Sequence, residues 1–306
     1  MTALALDYFS RTQVDVAIVE TGLGGRLDAT SVLRPCLTVT TNVSRDHVEI
    51  LGATLRRIAG EKAGIVKPGV PHLIGILPGE AEKVMRTVCR KLDAPFHSLR
   101  TYDFGADSAR GRVDFNGRWF RAAGLSVPLP GKHQLYNCAL ALAAVDVLCR
   151  SGFKFTRRAV RRGLQAVDWP GRFQVVRRDG RPTLVLDVCH NAGGARAFVA
   201  TFAAQFPGRK TSIILGLVKR KEHQLIVRAL SRVAADFSLV PLRTKRSTNP
   251  RELLAQLDWT SIPVRAYGRL GTAYGHLLKS SGSDDIITVT GSHYLVGELL
   301  RDYMRV

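Results

Sequence analysis

The sequence predicts an α/β protein with two parts: a partial, mostly parallel sheet, then a C-terminal doubly wound parallel sheet. Three observations predict it. Short apolar runs recur, each closed by a glycine or polar turn. Such runs read as strands buried on both faces of a parallel sheet. Strand-like and helix-like segments alternate regularly from about residue 172, the rhythm of a doubly wound sheet. The polar motifs fall just after the strand-like runs, where open α/β sheets bind ligands.

In order, VDVAIVE at 14–20 predicts a strand that ends in Glu20 and opens into a Gly-rich loop. CLTVTTNV at 36–43 predicts a second strand. Residues 51–67 predict a helix, with Leu55, Ile58, Ala59 and Ala63 at helical spacing. A strand at 71–76 and a helix at 79–92 follow. Asn116-Gly117 between apolar flanks predicts a hairpin across 111–120. An Ala- and Leu-rich helix covers 133–150, and RRAVRR at 157–162 reads as a solvated helix face. Beyond the junction, strands are expected at 183–188, 211–216, 236–241, 263–267 and 285–290. Helices are expected at 193–206, 222–235, 250–257, 270–280 and 292–304. The boundary is placed at the DWPGR junction, giving parts 1–168 and 169–306.

Composition bounds the function. The chain has 306 residues, 45% hydrophobic and 23% charged, enough apolar material for a core. No apolar run reaches the roughly 18–20 residues of a membrane helix, and no signal peptide is visible in residues 1–13. Five scattered cysteines without a CxxC pair fit a reduced, cytoplasmic protein. Lys+Arg 45 against Asp+Glu 25 gives a net charge of +20. Nucleic-acid binding is one reading of that charge. No aromatic-interleaved basic stripe or helix-turn-helix pattern accompanies it, so an anionic small-molecule substrate is the favoured partner. Neither specific nucleic acid nor membrane is expected.

The motifs carry the chemistry. A carboxylate at position 20, ahead of GLGGRLDAT, can face a ligand, and Gly22, Gly24 and Gly25 let backbone N–H groups approach an anion. A tight strand-to-helix turn explains the same pattern. His47, in SRDH, could share a metal with Glu20 or be an ordinary loop histidine. Lys62, in GEKAGIVKPG, binds no cation as an ammonium but can do so if carbamylated; an unmodified surface lysine is the plainer reading. His133, Gln134 and Asn137 suit capping or nucleotide contact at a helix start. Arg172 in WPGR could fork onto a phosphate, or the segment could be a linker anchored by Trp169. Asp187, His190 and Asn191 in DVCHNAGG would crown the second sheet or form a capping turn. Cys189 matches no thiol-nucleophile pattern.

Taken together, ETGLGGRLDAT, SRDH, EKAGIVK, LPGKHQLYN, WPGR, DVCHNAGG and VTGSHYLVG stand in the order of one family. The chain resembles folylpolyglutamate synthase/dihydrofolate synthase, of the Mur ligase superfamily, from about Val14 to its C-terminus. The resemblance implies a Mur-ligase-like central domain holding ATP and Mg2+ and a Rossmann-like C-terminal glutamate-ligase domain. It implies ATP-dependent ligation of L-glutamate to dihydropteroate or folate polyglutamates through an acyl phosphate, by a monomer. Glu20 and His47 would then be magnesium ligands, and Lys62 a carbamylated lysine beside the second magnesium. Leu27, Asp28 and Ala29 would line the pterin site. Asn137, Arg172 and Asp187 would contact the nucleotide. His190 would lie near the γ-phosphate or the incoming glutamate, and Ser292 near the glutamate.

Two departures stand out. The family's DGAHNP is here DVCHNA, which keeps the three polar residues. No G-x-x-x-x-G-K-[ST] loop occurs; the only Gly-Lys is Gly131-Lys132, followed by His133. The chain thus reads as an N-terminally truncated member, inactive alone. The alternatives are a catalytically dead regulatory fragment and a basic nucleic-acid binder.

Overall fold

The structure is a computed structural model that describes residues 1–45, 48–219, 222–257 and 259–304. The chain forms two compact units. The first comprises Met1–Ser126 and Leu135–Gly163, the second Val127–Gln134 and Leu164–Val306.

The first unit begins with helix α1 (Thr2–Arg11). A parallel sheet follows, in the order β1 (Thr38–Thr40), β2 (His72–Ile74), β3 (Phe96–Ser98). Helices α2 (Val48–Leu51), α3 (Leu55–Lys62) and α4 (Gly79–Lys91) connect its strands. Ile58, Ala59, Ile74, Leu77 and Met85 form the core shared by α3, β2 and α4. Of the helix expected over 51–67, Leu51 ends α2, Leu55–Lys62 forms α3 and Ala63–Ile65 continues it as a 3-10 turn. Gly52 sits at φ +97°, a conformation that stops α2, and the Thr54 hydroxyl then accepts the Arg57 N–H to start α3.

The strand expected at 14–20 does not form. These residues are exposed, Ile18 at 96%, and make no ladder. An apolar run becomes a strand only by pairing, and among the described residues 14–20 has no neighbour to pair with. Glu20 therefore closes an unpaired segment rather than a buried strand.

The predicted hairpin belongs to a three-stranded antiparallel sheet: β4 (Asp103–Asp107), β5 (Arg112–Asn116) and β6 (Arg121–Ser126). Its turn docks on helix α5 (Lys132–Arg150) through buried Asp146, whose carboxylate accepts the N–H groups of Trp119 (2.6 Å) and Phe120 (2.7 Å). Helix α6 (Arg157–Gln165) buries no side chain, as RRAVRR suggests.

The second unit is a six-stranded sheet in the order β11 (Val264–Ala266), β10 (Ala234–Leu239), β9 (Thr211–Leu215), β12 (Ile286–Thr290), β8 (Thr183–Asp187), β7 (Gln174–Val176). All pairs are parallel except the edge strand β7. Successive residues face opposite cores: Val185 and Ile213 one way, Leu186 and Ile214 the other. Helices α7 (Ala192–Gln205), α8 (His223–Leu230) and α9 (Pro250–Leu254) cover the first face. Helices α10 (Leu270–Ser280) and α11 (His293–Tyr303) cover the second. Burial on both faces is why these strands read as apolar runs rather than alternating ones.

Fully buried His72, on the central strand of the first sheet, bridges Thr38 (2.8 Å) and Thr40 (3.4 Å) through its two ring nitrogens. Burial lowers its pKa to about 4, so the ring is neutral in the fold. The neutral ring's stabilisation is complete above the ordinary histidine pKa of about 6.5 and is lost as pH falls toward 4. The loss amounts to about 3 kcal/mol. Urea unfolding midpoints at pH 7 and pH 4.5 are expected to show it. The non-titrating His72→Gln variant is expected to lose less over the same interval.

Candidate functional site

In the first unit the candidate residues gather around a close contact between two loops. An added Cβ on Gly64 would lie 2.2 Å from the Arg26 Cα, and one on Gly25 would lie 2.8 Å from the Lys62 carbonyl oxygen. No larger side chain fits at either position. The Arg26 N–H donates to the Glu61 carbonyl at 2.9 Å, and the Arg26 guanidinium forks onto the Glu61 carboxylate at 2.7 and 3.2 Å. The structure thus brings GLGGRLD against EKAGI, at the C-terminal end of α3, where Lys62 is half-buried. Arg26 also takes up the carboxylate charge next to Lys62.

Asp28 holds the Gly-rich loop closed. One carboxylate oxygen accepts the N–H groups of Gly22 (2.8 Å) and Leu23 (3.0 Å). The other accepts the N–H (2.9 Å) and hydroxyl (2.6 Å) of Thr30. These bonds, led by the Thr30 hydroxyl, hold its pKa down at about 2. Leu27 beside it is 86% exposed and Ala29 is exposed. Asn137 lies on α5, one turn from its start. His47 lies outside the described residues.

Among the described residues no three His, Cys, Asp or Glu side chains converge as a metal site, so they form no all-protein magnesium cage. Magnesium, however, commonly binds through one or two carboxylates plus substrate phosphates. Exposed Glu20 suits that kind of site.

In the second unit the site is built at the carboxyl end of β8. Asp187 accepts the N–H of Cys189 at 2.8 Å and the N–H of Phe173 at 3.0 Å. The second bond draws the WPGRF turn onto the strand end. That turn is tight: Gly171 sits at φ +75° and Phe173 at φ +46°. A Cβ on Gly171 would lie 2.9 Å from the Val188 side chain, and the Val188 N–H donates to the Gly171 carbonyl at 2.9 Å. Arg172 is thereby held close to Asp187. Burial raises the Asp187 pKa, while its two N–H donors and Arg172 oppose the rise. Burial first, and then the Arg172 charge, lower the pKa of His133.

His190 lies beside these groups, with Nδ1 3.1 Å from the Val188 carbonyl oxygen. Asn191 caps α7 by accepting the Gly194 N–H at 2.8 Å. Ser292 caps α11 by accepting the Tyr294 N–H at 3.1 Å. The sequence reading missed His293, whose ring centroid lies 5.6 Å from that of His190. Burial, His190 and Arg172 together lower its pKa, which favours a neutral ring with a lone pair to offer. Its place one residue after Ser292, in GSHY, was the available signal. Cys189 is buried against Thr290 with its thiol pKa pushed up, so it is no nucleophile.

Two domain models match this chain: the Mur ligase middle domain over residues 2–145 and the Mur ligase glutamate ligase domain over residues 171–293. A dihydrofolate synthase/folylpolyglutamate synthase of Bacillus subtilis is 31% identical over 98% of the chain, which spans 70% of that relative. The chain belongs to the folylpolyglutamate synthase/dihydrofolate synthase family of Mur ligases. Mycobacterium tuberculosis folylpolyglutamate synthase, solved with ADP and AMPPCP, is similar with a TM-score of 0.89 and 30% identity. That match covers the whole chain and 72% of the solved one. E. coli FolC, solved with DHPP and ADP, is similar with a TM-score of 0.86 and 26% identity, over 97% of this chain and 68% of that one. Membership of the family accounts for the order of the motifs. The carboxyl edge around β8 and β12 lies within its glutamate ligase domain.

Asp187→Ala leaves the Phe173 and Cys189 N–H groups without their acceptor, at a cost of about 1–3 kcal/mol for each group that stays buried. Urea unfolding is expected to show a lower midpoint. Asp187→Asn, which keeps an acceptor oxygen, is expected to lose less.

Proposed function

We propose that the chain supplies the ligase machinery for ATP-dependent joining of L-glutamate to the carboxylate of dihydropteroate or folate polyglutamates. The observation that carries the reading is the Asp187 clamp, which holds Arg172 beside the His190–His293 pair at the carboxyl edge of the second sheet. In the first step a substrate carboxylate oxygen attacks the γ-phosphorus of ATP. The bond to the β-phosphate oxygen breaks and ADP leaves. In the second step the glutamate amine attacks the acyl carbon, the C–O bond to phosphate breaks, and the amine loses a proton. Phosphoryl transfer of this kind depends on positioning and charge neutralisation.

Arg172 supplies a planar cation for phosphate. Asp187 orients the backbone around it, and Asn137 with Asp187 contacts the nucleotide. Neutral His293, with His190, offers an acceptor for the amine proton. Ser292 faces the glutamate, and Leu27, Asp28 and Ala29 border the pterin. Magnesium, held by Glu20 and His47 and carried in with the nucleotide, would neutralise phosphate charge. A carbamylated Lys62 would add an anion to that site. The enzyme is read as a cytoplasmic monomer.

The sequence contains no G-x-x-x-x-G-K-[ST] loop, and the backbone amides and lysine of such a loop cradle the β- and γ-phosphates. Phosphate release assayed with ATP, glutamate and dihydropteroate is therefore expected to be near background for residues 1–306. Joined to a segment that carries a G-x-x-x-x-G-K-[ST] loop, the chain is expected to release phosphate only when glutamate is present. Arg172→Ala is expected to weaken ADP binding at least tenfold by calorimetry. Undiminished ADP binding by Arg172→Ala, and no glutamate-dependent release from the joined chain, would refute the reading.

In that joined chain, Lys62→Ala is expected to lose turnover and recover part of it with added short-chain carboxylates. Lys62→Arg should stay inactive, because guanidinium cannot be carbamylated. Turnover by Lys62→Arg would show that the residue acts as a plain cation.

A further inference from the structure

An open crevice of about 640 Å³ lies beyond the carboxyl ends of β9, β10 and β11, in the size range of ligand sites. It belongs to the second unit and shares the sheet edge that carries Asp187 and Ser292. The link is direct: the Gly216 N–H donates to the Thr290 carbonyl at 3.3 Å, so the ends of β9 and β12 abut. Three residues beyond Gly216 stands Lys219, on the crevice wall with Arg251 and Tyr267. Among the described residues, Glu252 is the one carboxylate in the lining. Among the described residues neither Lys219 nor Arg251 takes part in an ion pair. Nearby Arg243, by contrast, is bound to Glu298 and Asp302.

The walls are built in advance. Val218 and Ser247 form an antiparallel bridge. The Lys219 N–H donates to the Arg246 carbonyl at 2.8 Å, and the Thr248 N–H donates to the Leu217 carbonyl at 2.9 Å. His223 ties the two segments, with Nε2 3.0 Å from the Val218 carbonyl oxygen and 3.3 Å from the Thr248 hydroxyl. Ordering these loops therefore adds little to the cost of binding.

The chemistry of the lining selects the ligand. A compact phosphate favours a nest of free backbone N–H groups. Here the Arg251 N–H is already capped by Asn249 at 2.9 Å, and Pro250 has no N–H. What remains is two separate side-chain cations and a phenol in an open trough whose lining also carries Pro241 and Ala266. That set suits an extended chain with carboxylates spaced along it.

We propose that this crevice binds an oligo-γ-glutamyl chain, whose α-carboxylates meet Lys219 and Arg251. The assignment rests on the ligase reading for the identity of the chain, and its test does not depend on turnover.

The test titrates tetra-γ-glutamate, without a pterin, onto the 306-residue protein by calorimetry at low salt. Tetra-γ-glutamate is expected to bind at least tenfold more tightly than L-glutamate. The Lys219→Ala/Arg251→Ala double variant is expected to weaken that binding at least tenfold, while Lys219→Arg/Arg251→Lys retains it. Because the protein is strongly basic, Arg158→Ala/Arg162→Ala on exposed α6 removes the same charge elsewhere and is expected to leave binding unchanged. Equal loss in that control, an unaltered Lys219→Ala/Arg251→Ala variant, or displacement by equimolar inorganic phosphate would overturn the proposal. ADP binding is measured in parallel. ADP binding without tetra-γ-glutamate binding removes the crevice assignment and leaves the ligase reading intact. Crevice-dependent binding without ADP binding does the reverse.

Discussion

The carboxylate of Asp187 is the constraint on which the second unit's site depends. It ends β8, lies largely out of solvent, and accepts two backbone N–H groups, from Phe173 and Cys189. A carboxylate so placed would cost free energy if left unpaired. Its two donors turn that cost into geometry. One donor belongs to the turn that carries Arg172, the other to the loop that carries His190. A single side chain thus fixes the entry of the unit and the crown of its sheet, and Gly171 and Phe173 accept left-handed backbone to let the turn close.

The first unit reaches the same end by steric rather than electrostatic means. Gly25 and Gly64 let two loops touch backbone to backbone, and Arg26 seals the contact on Glu61. Asp28 spends its hydrogen bonds holding the loop from within, so its low pKa reports loop structure before it reports any ligand.

The sheet of the second unit was legible because its inner strands are buried on both faces and each of its parallel strands is followed by a helix. The motifs DVCHN and GSHY were legible as polar segments after strands and WPGR as the junction between the two parts, although not as neighbours in space. Pairing is what local sequence does not encode. VDVAIVE has the composition of a buried strand, yet it stays exposed because a strand exists only with a partner. The strands β3 (Phe96–Ser98) and β7 (Gln174–Val176) lie outside any longer apolar run of the kind that marks β1 and β2, so the sequence does not display them. His293 was hidden by its position at a helix start, where a capping serine draws the eye. The crevice beside Lys219 is assembled from three separate loops, and no single stretch of sequence displays it.

We propose that the Asp187 clamp, with the Arg172 turn, forms the nucleotide-contacting crown of the second unit. The most direct measurement is a proton–nitrogen correlation spectrum of the isotope-labelled chain during an ADP titration. Saturable shifts are expected at the Arg172, Phe173 and Cys189 amides, with amides at the opposite end of the same sheet, such as Ser212 and Ile286, unmoved. Shifts confined to residues away from the 171–191 crown, or none at saturating ADP, would contradict the proposal.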